Sequence, residues 1–569
     1  MLDRPELSLS AFVADEWRGR RGASRERIGW YMFDWANSPM FQAAAAVLFV
    51  FFLSGLADAH ANAGSALATC ATLGSCVTDR ASFVRGDATC TAEDGSPLAV
   101  SCRTCVEGNG PMRWAAGERR FEPLALPTVR FLFDVTADTF AGTVIAIASF
   151  VQLLVFITCG SWADFGGMRR RGLFASTACA CASLLLMLAV VRPALYWLAG
   201  LLVVIATVCH GLALVYANAY LPILVDLHPT VAAAEARARE VRTPAAREAA
   251  VATRELMEAR VSSLGFMVGY AGGFICFAIA GVLLILSSGG LLPPLVAMQI
   301  GLAIVGAWWL GFSTLTWRML GEHPGRPPPP ARELLTLGWR STAALFSRIA
   351  RLPHTARFMV AWFFLSDTFS VVGGVGNLFA AREFCLSFAD VAVLAAMVII
   401  EAVIGNALWL VAQRRLQLTT KTIVTCCSAT YALISLWGLI GAIDASPIGL
   451  KSRVELFLFA TVHGLTVGAV GAFSRALFSE LIEIGREGEY FAIYEITDKG
   501  SSFLGTFLFP LIGQLTGRRR LGFAYLFGMA SVATAILTTV NAREGAKMAG
   551  RHAVAASDSE VEPPAKAHP

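Results

Sequence analysis

The sequence predicts an all-α membrane protein whose twelve transmembrane helices form two six-helix halves. Three observations lead there. Only 15% of the 569 residues are charged and 56% are hydrophobic, against roughly 25% charged in ordinary soluble domains. Apolar stretches of about 20 residues, enough to cross a bilayer, recur along the chain. A long polar segment in the middle divides the first six from the last six. The same composition excludes intrinsic disorder, a collagen-like chain and a small disulfide-built scaffold.

The stretches fall near 30–56, 137–160, 172–191, 196–222, 261–287, 291–316, 357–380, 389–411, 422–442, 454–479, 491–516 and 521–541. They give an N-terminal half at 29–316 and a C-terminal half at 357–541, joined by a linker at 317–356. Residues 1–28 hold six Arg and five acids with no apolar core, which fits a cytosolic tail and not a cleaved signal peptide. Residues 542–569 are polar and are expected to be a disordered cytosolic tail.

Orientation follows from the basic residues. With the N-terminus in the cytosol, the cytosolic segments hold roughly thirty Lys and Arg, and the other side roughly fourteen. Arg518, Arg519 and Arg520, between spans eleven and twelve, run against this bias. The net charge of +5 is too small to imply a nucleic-acid partner.

Of 13 cysteines, Cys70, Cys76, Cys90, Cys102 and Cys105 share the polar loop 57–136. Their clustering points to an oxidising, luminal compartment and a disulfide framework of undetermined pairing. Cys102 and Cys105 have the spacing of half a zinc site, but no second half follows. Residues 226–260, rich in Ala, Arg and Glu, predict an exposed cytosolic helix with i,i+4 pairs such as Arg254–Glu258. The linker combines Pro327–Pro330 with an Arg-rich amphipathic stretch from Leu334 to Leu352, a stiff spacer followed by a helix on the membrane surface.

The loop after span two reads Gly160-Ser-Trp-Ala-Asp164-Phe-Gly-Gly167-Met-Arg169-Arg170-Arg171. It resembles the signature loop of the major facilitator superfamily, as does the six-plus-six layout. That resemblance implies a fold in which two halves rock around a midplane site. Gly160 and Gly167 suit a tight turn and close helix approach, while Asp164 can cap a neighbouring helix or pair with an arginine. Gly160, Asp164, Gly167, Arg169 and Arg170 are therefore candidate gate residues.

Further motifs narrow the resemblance. They are Gly29-Trp-Tyr-Met-Phe-Asp34-Trp35-Ala-Asn37-Ser38, Tyr216-Ala-Asn218-Ala-Tyr-Leu221-Pro222 and Ser263-Leu-Gly265-Phe-Met-Val-Gly269-Tyr270-Ala-Gly272-Gly273. Arg357-Phe358 with Ser366-Asp367, Gly471-Ala-Phe-Ser474-Arg475, and Glu489-Tyr-Phe491-Ala-Ile-Tyr494 with Lys499-Gly-Ser501-Ser502-Phe-Leu504-Gly505 complete the set. In order and in register, these resemble the vacuole effluxer family of autophagy-related protein 22. The chain departs from that family's pattern at Gly471, Ala476 and Ala492. The resemblance implies export of amino acids from a vacuole-like lumen.

Ionisable groups inside a bilayer are functional candidates by default. Spans one, four, seven and ten line the central cavity of such a fold, and the polar residues fall on them. Asp34, Asn37, His210, Tyr216, Asn218, Asp367, Asn377, His463 and Arg475 are the candidates for substrate binding or proton coupling. Asp34 and Arg475, near the cytosolic ends of their helices, equally suit a gate. Asp367 lies about ten residues into its span, a depth suited to a proton carrier or an ammonium ligand. For Asp367, a structural hydrogen bond to a neighbouring helix is an equal alternative. Glu495 and Lys499, spaced i,i+4 in span eleven, suit a gate or a local helix pair.

No phosphate loop, H-E-x-x-H or nucleophile elbow is present, so neither ATP-driven pumping nor an enzyme is expected. No cofactor or metal is expected. The reading is a monomeric, multi-pass secondary transporter of small solutes, amino acids first, in a vacuolar or lysosome-like membrane. Transport of another metabolite at the plasma membrane, or a sensor using the Cys-rich loop, are the alternatives.

Overall fold

The computed structural model describes residues 21–61 and 140–550, except 289, 324, 385–387, 444 and 517, with short segments between 88 and 136. Helices coincide with all the expected spans. Among the described residues, nine are long and apolar enough to cross a membrane, or ten if the bent pair Gly522–Thr538 and Ala542–Met548 counts as one span.

Span one is helical over Arg21–Pro39, widens to a π-helix over Met40–Leu48, and returns to α-helix over Phe49–Ala61. Pro39, which lacks an N–H and crowds the preceding turn, lies at the transition. The tail expected over 1–28 is thus helical from Arg21. Its charges are tied down, since Arg25 donates to the Arg318 carbonyl at 2.7 Å and Glu26 meets His323 at 2.8 Å, both near the end of span six.

Spans two to four are Phe140–Cys159, Met168–Leu186 and Tyr196–Asn218. The exposed helix expected over 226–260 is corrected to two elements. Pro229–Val241 stops at Arg242, whose φ of 51° leaves the helical region, and Pro244–Ser288 then runs unbroken through span five. The Arg254–Glu258 pair forms at 3.5 Å, but it is buried and not exposed. Arg254 also pairs with Asp226, and with Glu235 at 3.1 Å. A charge cluster can be buried where it is so thoroughly paired.

The remaining helices are Pro294–Met319, Pro353–Glu383, Phe388–Leu416, Thr420–Ile440, Arg453–Glu480, Glu487–Thr516 and Gly522–Thr538. The linker carries a further helix, Ala331–Ile349. The tail expected to be disordered from 542 instead begins with the helix Ala542–Met548. Asn541 caps it by accepting the Glu544 amide, and Gly545 is buried against Leu481 and His354. Residues 551–569 lie outside the described residues.

Spans one, five and six pack together, span four packs on two and three, and span three also packs on six. In the other half, span eight packs on ten, nine on twelve, and seven on eleven and twelve. Span five lies against spans eight and ten, and span eleven against span two, so these helices join the halves. Glycines set the tightest contacts. Gly265, Gly269 and Gly273 of span five lie directly over Asp34, Ser38 and Gln42 of span one.

The loop before span two holds three antiparallel hairpins: Ala88–Thr91 with Pro97–Val100, Met112–Ala115 with Arg120–Pro123, and Thr128–Arg130 with Asp134–Thr136. The last is pinned to span four, because the Tyr196 hydroxyl donates to the Arg130 carbonyl at 2.8 Å. The disulfide framework falls on the side chains of Cys70, Cys76, Cys90, Cys102 and Cys105, which lie outside the described residues. Arg518 and Arg520, which oppose the charge bias, donate to the carbonyls of Ala442 and Leu450 at 3.3 and 3.0 Å, in the loop that follows span nine. Ala442 lies just past the C-terminus of span nine, where carbonyl acceptors stabilise a cation.

Candidate functional site

A buried arginine gathers four helices at the arginine-rich end of the bundle. Arg475, near the end of span ten, lies 3.5 Å from Asp34 of span one. It donates to Asn218 at the end of span four at 3.2 Å, and to the Ser262 hydroxyl and carbonyl of span five at 2.9 and 3.0 Å. Its guanidinium sits 4.6 Å above the Trp30 ring and 4.5 Å above Phe266. Asn218 in turn donates to Glu495 of span eleven at 3.1 Å. A guanidinium can do this because its five donors form a planar fork that also stacks on aromatic faces. Gly265 makes the approach feasible, since a Cβ there would meet Asp34, Trp30 and Arg475.

The signature loop forms a second layer closer to the surface. A short 3₁₀ turn, Gly160–Asp164, is followed by the left-handed Gly167, with φ of 73°, which lets the chain reverse into span three. Asp164 then points across to the other half. Its carboxylate accepts the amides of Gly488 at 2.7 Å and Glu489 at 3.0 Å, the first turn of span eleven. This satisfies two of the four amides a helix start leaves unpaired. Arg169 lies 3.6 Å from Glu487 and 3.9 Å from Asp164. Gly160 packs directly on Ala492. Arg170 stays within its own half, donating to the Trp317 carbonyl at 2.7 Å and lying 3.5 Å from Glu322.

Two participants were not legible in the sequence. Glu255 accepts the Thr420 amide at 2.7 Å, so a first-half carboxylate also caps the start of span nine. Only the alternation of charges in an Ala-rich stretch marks Glu255, and that pattern ordinarily describes a solvated face. Arg326 of the linker is the other. The Gly166 amide donates to its carbonyl at 3.0 Å, and its own amide donates to the Asp164 backbone carbonyl at 3.2 Å. Its guanidinium donates to the Gly485 carbonyl at 2.8 Å, beside Glu489 at 3.7 Å.

The other candidates lie apart from this network. Asp367 is fully buried between spans seven, eleven and twelve, where it accepts the Gly505 amide at 2.9 Å and the Tyr525 hydroxyl at 2.8 Å. His463 is hydrogen-bonded to Tyr431 at 3.0 Å within the second half. His210 packs edge-on to Trp309 at 5.5 Å within the first. Tyr216 donates to the Cys159 carbonyl at 3.0 Å, fixing span four to the end of span two. Asn37 is buried, and its carbonyl oxygen has no partner among the described residues. The side chain of Asn377 lies outside the described residues. Lys499 pairs with Asp498 at 2.6 Å and Glu495 accepts from Asn218 at 3.1 Å, while the expected i,i+4 partners Glu495 and Lys499 still interact electrostatically. Among the described residues no cluster of His, Cys, Asp or Glu could hold a metal ion.

Residues 22–550 match the family described as vacuole effluxer Atg22 like. Autophagy-related protein 22-1 of Phaeosphaeria nodorum is 28% identical over 485 residues, covering 80% of this chain and 85% of that protein. Autophagy-related protein 22-2 of Neosartorya fischeri is 28% identical over 463 residues, covering 72% and 75%. Among solved structures, the major facilitator superfamily proton:xylose symporter XylE aligns with a TM-score of 0.55 at 10% identity, over 94% of this chain and 97% of that one. The human organic anion transporter MFSD10 aligns at 0.51 and 14% identity, over 91% and 99%. The fold is that of the major facilitator superfamily.

Proposed function

Given that this chain belongs to the vacuole effluxer Atg22-like family, and is a membrane transporter and not an enzyme, we propose that it carries amino acids from a vacuole-like lumen to the cytosol by alternating access. The observation that carries the reading is the Arg475 network. It ties spans one, four, five, ten and eleven across the two halves at the arginine-rich end, which the basic-residue bias assigns to the cytosol. A closed gate on that side is the state in which a transporter of this fold takes solute from the lumen. Opening breaks the Arg475, Asp164 and Glu255 contacts together, because all three cross between the halves.

Asp367 is the proposed proton site. A proton arriving on Oδ2 turns the Tyr525 hydroxyl from donor to acceptor, which loosens the contact between spans seven and twelve. Asp34, Asn218 and Arg475 serve as gate residues, with Asn37 on the solute path. Purified protein in proteoliposomes loaded with labelled amino acids tests the reading. Efflux that requires the protein and falls in an Arg475→Gln variant supports it. Efflux equal to that of empty vesicles, across a panel of amino acids and at two luminal pH values, overturns it.

A further inference from the structure

The linker helix Ala331–Ile349 carries three stripes around its circumference. Leu345 and Ile349 are buried, and Gly338 lies directly on the backbone of Thr158 at the end of span two. Leu335, Trp339 and Phe346 face outward, with 63%, 50% and 60% of their surface exposed. Their spacing places them along one side of the helix. Arg340 on the helix and Arg351 just past its end are exposed, and neither guanidinium has a partner among the described residues. Span two exposes Leu154 and Phe150 one and two turns before Thr158, so the apolar stripe continues a surface that already faces lipid.

Both ends of this segment enter the gate. Arg326 is paired with the signature loop and donates to Gly485, and the Trp162 indole donates to the Leu334 carbonyl at 3.2 Å. At the far end Arg348 lies 3.8 Å from Glu483 and 3.9 Å from Glu489, at the start of span eleven. Whatever steadies the helix therefore steadies the contact between the halves.

We propose that the linker helix is a binding surface for anionic phospholipid headgroups. Leu335, Trp339 and Phe346 enter the acyl boundary, Arg340 and Arg351 take the headgroup phosphates, and binding holds the gate closed through Arg326 and Arg348. The occupant follows from charge complementarity and from the continuity with span two. An apolar stripe flanked by cations at the end of a membrane span fits an anionic leaflet, and long cationic side chains reach its phosphates. The inference does not depend on which solute is carried.

The test is amide hydrogen exchange on the full-length protein in phosphatidylcholine vesicles with and without phosphatidylserine. The expected result is several-fold slower exchange of the amides at 164–168 and 485–490 when phosphatidylserine is present. The Arg340→Gln/Arg351→Gln variant should lose that difference, and Arg340→Lys/Arg351→Lys should keep it. Both side chains are exposed, so neither variant disturbs the fold. Equal exchange in the two vesicle types overturns the proposal, as does a difference that persists undiminished in the glutamine variant.

Discussion

The Arg475 guanidinium meets the Asp34 carboxylate at 3.5 Å from the opposite half of the protein, and both side chains are buried. Neither is tolerable alone at that depth. Breaking a buried pair by removing one partner costs about 3–5 kcal/mol, because the survivor is left uncompensated. Asp34→Asn should therefore destabilise the closed gate strongly. Cys159, a half-buried free thiol at the end of span two, reports on it. Its labelling by a membrane-impermeant maleimide added on the arginine-rich side, followed by peptide mass spectrometry, should accelerate by more than ten-fold.

Asp164 acts on the same gate as a helix cap. Asp164→Ala removes the acceptor for the Gly488 and Glu489 amides, and loss of such a cap costs about 1 kcal/mol. Exchange of those two amides should rise about five-fold. Asp164→Asn keeps one acceptor oxygen and should fall between the variant and the parent. Identical exchange in the alanine variant would show that the cap contributes nothing to closure.

Gly265→Ala tests close approach as a requirement. The added methyl meets Asp34 and Trp30, and overpacking of this kind costs about 1–3 kcal/mol. The thermal midpoint of the detergent-solubilised protein should drop. Gly281→Ala, on the same helix with open space around it, should leave the midpoint unchanged.

How much of this was legible beforehand depends on what each residue's role requires. A helix lies at each apolar stretch, because the bilayer sets length and polarity directly, although among the described residues nine or ten helices are long and apolar enough to cross a membrane. Asp164 stands out through the signature-loop pattern it shares with Gly160 and Gly167, and Arg475 because charges within an apolar span are rare. Glu255 and Arg326 did not, since their roles arise from tertiary contacts with residues far along the chain. The same blindness affected 226–260, whose charge pattern suits a solvated helix just as well. There, burial is decided by the partners Asp226 and Glu235 gathering on Arg254. Asp367 is buried, but its partners, Gly505 and Tyr525, sit on helices whose adjacency the sequence does not encode locally.

Asp367 separates two roles by substitution. Asp367→Asn retains an oxygen acceptor for Tyr525 or Gly505 and should fold normally, while transport loses its dependence on luminal pH. Asp367→Ala loses both acceptors and should also lower the thermal midpoint, by an amount equivalent to about 1–3 kcal/mol. Unaltered pH dependence of flux in the asparagine variant would assign Asp367 a structural role alone.

The most direct measurement of the central claim is solute efflux from proteoliposomes holding labelled amino acids, with the protein's arginine-rich face outward. The account predicts saturable, protein-dependent efflux that collapses when Asp34→Asn and Arg475→Gln are introduced singly. Efflux indifferent to both substitutions, or absent for every amino acid in the wild-type protein, would contradict it.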